Sequence, residues 1–348
     1  MTVLVTLISK IRQELSKLSS HAAGAFISSF CDSQTIIEDI TGQPKNFNDE
    51  DLLDLLNSKT GETQFNMEEA CASSQKAMSQ VIDSNQLNEL KTEMDNERDK
   101  ARINCVTMKH AGDWLNTVPV KSLGLHLRPL EFTTSVKYRL GIPVFHASGP
   151  CSACGDPSDK FGDHAIGCGK DSERIYRHNS LRDVVHSTAG SAALSPAKES
   201  SSLLPGSADK PADIFLPGWA NGRDAAIDVT VVSPLQVQLR KKAAEEIGSA
   251  ADKRFKEKMN KYQAACNNEG IHFYPLVVET FGGWHSESEA VIVKLAAQLA
   301  RQTDGDLEET KRHLFQRLSI LLTRGNAALL TSRNPQNVDA IIDGDLDF

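Results

Sequence analysis

The chain has 348 residues, 40% hydrophobic and 24% charged, with a net charge of −8. That length allows two or three domains of ordinary globular composition. It excludes a uniformly basic, histone-like protein but leaves room for a local basic groove. No apolar run approaches the roughly 18 residues of a membrane span. Seven cysteines, a low and odd count, argue against a disulfide scaffold and for an intracellular compartment, nuclear or cytoplasmic. Met1–Ser9 is apolar, but its first cation, Lys10, follows the apolar stretch. A secretory signal has the reverse order.

Residues 1–110 read as helical and partly loose. Leu4, Ile8, Ile11, Leu15 and Leu18 follow a 4-3-4-3 spacing that draws one apolar stripe, suited to a bundle helix or to helical self-association. Residues 19–83 are polar and acidic, with a short helical patch at Glu50–Leu56, and a second long helix is predicted from Ser84 to Met108. Residues 111–145 form a helical connector in which Trp114, Leu125, Phe132 and Tyr138 supply core material and Pro119, Pro129 and Pro143 punctuate. A Gly-rich loop fills 146–170. From 171 to 300 the pattern predicts a helix at Asp171–Ala189, extended segments at Lys198–Leu204 and Ala212–Leu216, and a strand at Ala225–Val232. A long helix at Gln236–Cys266, a strand at His272–Glu279 and a helix at Glu287–Ala300 follow. Such an order is an α+β or α/β module. Residues 301–348 read as one or two helices and an acidic end, Asp343–Phe348.

The loop carries Cys151, Cys154, His164 and Cys168 in the pattern C-x2-C-x9-H-x3-C. A C-x2-C turn offers two thiolates from one knuckle, and a following His/Cys pair completes four tetrahedral ligands for a structural zinc ion. His178 and His186 are alternative ligands, each inside a predicted helix. Cys31, Cys71, Cys105 and Cys266 are scattered and read as small core residues or inert thiols.

The module carries two acids, Asp213 and Asp228, the second inside an otherwise apolar strand, with Glu199 upstream. A buried carboxylate needs a cation, either a metal or a basic side chain. Two acids entering one site from neighbouring strands suit Mg²⁺. The alternative is that Asp213 caps a loop and Asp228 makes a structural salt bridge. Residues 171–262 hold 14 Lys and Arg against 12 Asp and Glu, so this is the basic part of an acidic chain, as phosphate binding requires.

Taken in order, these residues resemble the C-terminal region of non-LTR retrotransposon reverse transcriptase proteins, where a zinc knuckle precedes a restriction-like endonuclease. The series is the Cys-Cys-His-Cys knuckle, Arg177-His178-Asn179, Glu199, Pro211-Ala-Asp213-Ile214 and Ile227-Asp228-Val229-Thr-Val231. Lys258-x-x-Lys261-Tyr262 and Gly283-Trp284 complete it. The resemblance covers about half the chain and implies a PD-(D/E)XK core that nicks DNA. Asp213 and Asp228, with Glu199, would hold Mg²⁺, and Lys258 or Lys261 would assist. In the ordinary form of the core, a lysine stands two residues after the second acid; here that place is Thr230, and the basic residue has moved to the next helix. Asn179 stands where many relatives have Asp. Arg177, His178, Arg240, Lys241 and Lys242 would grip DNA, or RNA. The chain has no Asp-Asp dipeptide, so the reverse transcriptase active site is absent and the sequence reads as a truncated, retroelement-derived remnant. Two other readings stand beside nicking: a catalytically dead nucleic-acid-binding zinc protein, and a helical interaction protein.

Overall fold

A computed structural model describes residues 21–29, 31–32, 50–170, 172–199, 203–204, 211–220 and 222–333. The stripe at Leu4–Leu18 and the acidic end at Asp343–Phe348 lie outside the described residues. The chain divides into two compact units, Met1–Asp95 and Asn96–Phe348. Among the described residues, no helix is long and apolar enough to cross a membrane.

The first unit is helical: α1 over residues 21–29, α2 at Glu50–Asn57, α3 at Met67–Ala72 and α4 at Gln75–Glu93. Its core is small, centred on Ile27, Leu56, Met78 and Ile82. Asn66 and Glu69 cap α3 reciprocally. Folding α1 onto this core brings Cys31 to Cys71, Cα to Cα 5.5 Å, and the two pair as a disulfide. They are therefore not the inert thiols the sequence suggests. Cys105 and Cys266 are buried core thiols, as expected.

The helix predicted from Ser84 to Met108 is two helices. α4 stops before Met94, whose backbone is extended, and α5 (Glu97–Val106) restarts at Asn96, whose side chain accepts from the Arg98 N–H at 2.8 Å. The connector holds two short 3-10 turns and α6 (Pro129–Leu140), closed by Gly141 in the left-handed region. A small hairpin, β1 (Gly149–Pro150) with β2 (Pro157–Ser158), leads into α7 (Asp163–Gly167) and then α8 (Ser172–Ser191).

A four-stranded sheet organises the second unit. Its strands are β3 (Ala197–Lys198), β4 (Ile214–Ala220), β5 (Arg223–Val232) and β6 (Ile271–Glu279), in that spatial order. The first three pair antiparallel, and β5 and β6 are parallel. A parallel pair needs a crossover, here α9 (Val237–Glu245) and α10 (Ser249–Asn268). The single long helix expected there breaks at Gly248, φ +77°, a conformation costly for any residue with a Cβ. α11 (Ser286–Thr303) and α12 (Leu307–Ser332) complete the unit.

β5 is apolar on both faces because both are covered. Ile227 and Val229 pack with Leu181 and Val185 of α8, Ile292 of α11 and Phe315 of α12. Ala226 packs the opposite way with Tyr262 and Cys266 of α10. Alternation then turns Asp228 toward α10.

The knuckle segment is bolted to this body by a buried ion pair. Arg98 of α5 donates twice to Asp163 of α7, Nε to Oδ2 at 2.6 Å and Nη2 to Oδ1 at 2.9 Å, and its guanidinium lies over the Phe161 ring. Both residues are under 9% exposed. Arg98→Ala, which leaves Asp163 buried beside only the more distant Arg240, is expected to cost the second unit about 3–5 kcal/mol in urea denaturation. Arg98→Met with Asp163→Leu should recover most of that loss.

Candidate functional site

The cysteines and histidine come together as expected. The thiols of Cys151, Cys154 and Cys168 and one ring nitrogen of His164 all lie within 4.8 Å of one another. Cys154 Sγ and His164 Nε2 are 3.2 Å apart. The loop is shaped from the backbone: Cys151 N–H donates to Asp156 at 2.8 Å and Gly155 N–H returns to Cys151 at 2.8 Å. Asp159 holds the other half, its carboxylate accepting from the N–H groups of Phe161, Asp163 and His164 at 2.9–3.1 Å. Gly162 must be glycine, since at φ +90° an added Cβ would stand 2.2 Å from Leu330. Zinc–ligand bonds of about 2.0–2.3 Å place tetrahedral donors roughly 3.3–3.8 Å apart. Three soft thiolates and an imidazole at this spacing fit that ion. With four protein ligands such a site would leave no position for a reacting water. His178 and His186 are not among these ligands.

The acids converge on a second site. Ile214 pairs with Ile227 across β4 and β5, and the Asp213 N–H donates to the Ile227 carbonyl at 2.9 Å. One step further along this register, Asp213 stands opposite Asp228, and opposed residues share a face. The Asp213 carboxylate accepts the Val229 N–H at 2.7 Å through Oδ2 and meets His178 Nε2 at 3.1 Å through Oδ1. Asp228 accepts from Lys258 Nζ at 2.9 Å and from the Thr230 hydroxyl at 2.9 Å. Burial pushes the Asp228 carboxyl above its ordinary value; Lys258 opposes that shift and the charge of Asp213 adds to it. Thr230, two residues along the strand, thus supplies a hydroxyl to the carboxylate of Asp228.

Asp228, Lys258 and His178 line a cleft of about 480 Å³, and Asp213 adjoins it through His178. α8 forms one wall with Arg174, Ile175, His178 and part of the buried Arg177; α10 forms the other with Arg254 and Lys258; β5 is the floor. Gly169, one residue past the last knuckle cysteine, sits at the edge.

Other predicted residues lie elsewhere or, in the case of Arg177, reach the cleft but are held by internal contacts. Lys261 is exposed one turn beyond Lys258, its ammonium 4.6 Å from the Tyr262 ring centre, so Lys258 is the lysine at the acids. Glu199 pairs with Arg182 and does not line the cleft. Arg177 is 3% exposed and donates to Asn326 of α12 at 2.6 Å, and burial pushes its guanidinium down to about 10. Gly325 of α12 leaves the room: a Cβ there would meet Arg177 at 2.6 Å. Its observed role is to join α8 to α12, not to grip phosphate. Arg240 is likewise turned inward, onto the Leu235 carbonyl and Asp163. Lys241 is exposed, and Lys242 forms a surface pair with Glu246. His178, expected as a nucleic-acid contact, instead touches Asp213. The sequence reading missed Arg174 and Arg254. Their signal was a four-residue offset, Arg174 before His178 and Arg254 before Lys258, which puts each pair on one helix face.

No protein-family model matches this chain, and no curated protein matches it significantly.

Purified under reducing conditions, the protein should carry a single zinc ion in the knuckle by elemental analysis, and Cys154→Ser or Cys168→Ser should lose it. Chelation should also lower the melting temperature, because metal binding here is folding free energy. Asp228 generates a second expectation. Its folded pKa lies above its unfolded one, so ionisation costs stability as pH rises through the folded value. Asp228→Asn should therefore be at least as stable as the parent at pH 7, within about 1 kcal/mol or better. Its advantage in denaturation midpoint should shrink on acidification.

Proposed function

We propose that the chain is a retroelement-derived, metal-dependent DNA-nicking protein with a PD-(D/E)XK-like core, a structural zinc knuckle and no polymerase. One observation carries the reading: Asp213 and Asp228 stand side by side on neighbouring strands, with the Lys258 ammonium 2.9 Å from Asp228. The donor set fits Mg²⁺, which prefers hard carboxylate oxygens and keeps waters and phosphate oxygens as its other partners. It also fits the energetics, since a divalent cation relieves two adjacent carboxylates, one of them largely desolvated. When bound, Mg²⁺ supplies Lewis-acid activation of a water and of the scissile phosphate.

The chain's own residues have separable tasks. Asp213 is braced through the Val229 N–H, and His178 fixes its other oxygen. Lys258 holds Asp228 and places a positive charge where the phosphorane would gain negative charge. Thr230 orients the other Asp228 oxygen. Such a protein acts on DNA, with RNA as the alternative polymer, inside the cell, in the nucleus or the cytoplasm.

A second reading rests on a specific observation. Each carboxylate already has a nitrogen partner within 3.1 Å, so internal contacts satisfy the site and it would bind nucleic acid without needing to cut it. A supercoiled-plasmid assay separates the two. The nuclease should convert supercoiled to open-circular DNA in Mg²⁺ and not in chelator. Asp228→Asn should lower the rate by about 1,000-fold or more, and Lys258→Ala by about 100-fold. A parent protein that retains DNA but leaves the plasmid supercoiled, at any Mg²⁺ concentration, selects the non-catalytic reading.

A further inference from the structure

The two walls of the cleft repeat one arrangement. On α8, His178 touches Asp213, and Arg174 stands one helical turn earlier. On α10, Lys258 touches Asp228, and Arg254 stands one helical turn earlier. The residues nearest the acids are thus engaged with them, while each wall carries an arginine about 6 Å along its helix, four residues at 1.5 Å each. Arg174 is exposed beside the Gly169 backbone, which an added Cβ would bring to 3.3 Å from its Nη1. Arg254 pairs with Glu257 at 2.9 Å, but both side chains are more than 40% exposed, and such a pair holds its arginine weakly.

We propose that Arg174 and Arg254 are the two phosphate anchors of the cleft, and that a DNA strand crosses it from the α8 wall to the α10 wall. A guanidinium on each side would hold the phosphates flanking the one over Asp213 and Asp228. The charge logic is specific. The protein as a whole is acidic, at net −8, whereas the cleft is lined by Arg174, Arg177, Arg254 and Lys258 against one acid, Asp228, so the cleft favours a polyanion that the net charge does not. Guanidinium groups suit phosphate because their fork donates two parallel hydrogen bonds to it. Arg177 and Arg240, the sequence-level choices for this task, are committed to internal partners. The proposal deepens the nicking reading and relies on it for the position of the scissile phosphate.

The test uses the full chain bearing Asp228→Asn, so that binding is read without cutting. Its probe is a 30-base-pair fluorescent duplex of mixed sequence, titrated by anisotropy across a salt series. Arg174→Gln and Arg254→Gln should each weaken binding about tenfold at 0.1 M salt and reduce the log K against log salt slope by about 0.9, the contribution of one phosphate contact. The double variant should lose about twice that slope, and Arg→Lys at either position should keep it. Arg301→Gln, an exposed charge on α11 outside the cleft, should leave the slope unchanged. Slopes equal to the parent's in both glutamine variants would overturn the proposal, as would an Arg301→Gln effect of the same size. A parent that nicks plasmid while its arginine variants bind normally removes the strand path and leaves the nuclease standing. Slope losses in a protein that never nicks do the opposite.

Discussion

Two carboxylates held opposite one another on adjacent strands repel, and the repulsion grows as water is excluded. Everything else in the second unit answers that constraint. β4 and β5 fix the register that puts Asp213 against Asp228. The crossover that parallel pairing with β6 demands lays α10 across the same face, and it delivers Lys258 to Asp228. α8, packed on the opposite face through Leu181 and Val185, brings His178 round to Asp213. A core that merely needed to fold would fill these positions with apolar side chains and be as stable or more so. The cluster is thus not accounted for by stability alone, and under the proposed reading a cation together with a phosphate would be its ligand.

The zinc knuckle belongs to the same body. Its helix is tied to α5 through Arg98 and Asp163, and its last cysteine is followed at once by Gly169 on the rim of the cleft. The four ligands fix the loop internally, and Asp159 fixes the turn that carries His164. A metal held in the knuckle would fix one edge of the acid site without touching the acids themselves. The buried Arg177–Asn326 contact does the equivalent on the far side, locking the start of α8 to α12, and so determines where Arg174 and His178 stand.

Much of this was legible in the chain. The C-x2-C-x9-H-x3-C spacing marks the knuckle because metal ligation is local in sequence, and the strand around Asp228 declares itself by one acid in an apolar run. The breaks in the two long helices were less visible. A single Gly248 or a Met-Asp-Asn stretch ends a helix only when capping and tertiary packing favour it, and propensity alone is too weak to say so. Side-chain direction was the hardest. Arg177 and His178 are neighbours in sequence but lie 100° apart on the helix, so one is buried against α12 and the other reaches the acid. Residue type alone does not say which of the two is buried. The pairing of Cys31 with Cys71 was equally invisible, because it depends on how α1 folds onto a distant segment.

The balance between a cutting and a merely binding protein comes down to competition at the acids. In the described state, Lys258 and His178 hold the carboxylates and the hydroxyl of Thr230 satisfies another lone pair. A cation entering the cleft must displace or share these partners, so its net gain is its own attraction less what the internal contacts already provide. The Asp228 carboxyl is pushed up in spite of Lys258, so the internal cation does not fully compensate burial and the neighbouring charge. That residual deficit is what a divalent ion would relieve. A phosphate brought to the arginines on the two walls would then complete the neutralisation, drawing ion and strand into the cleft together.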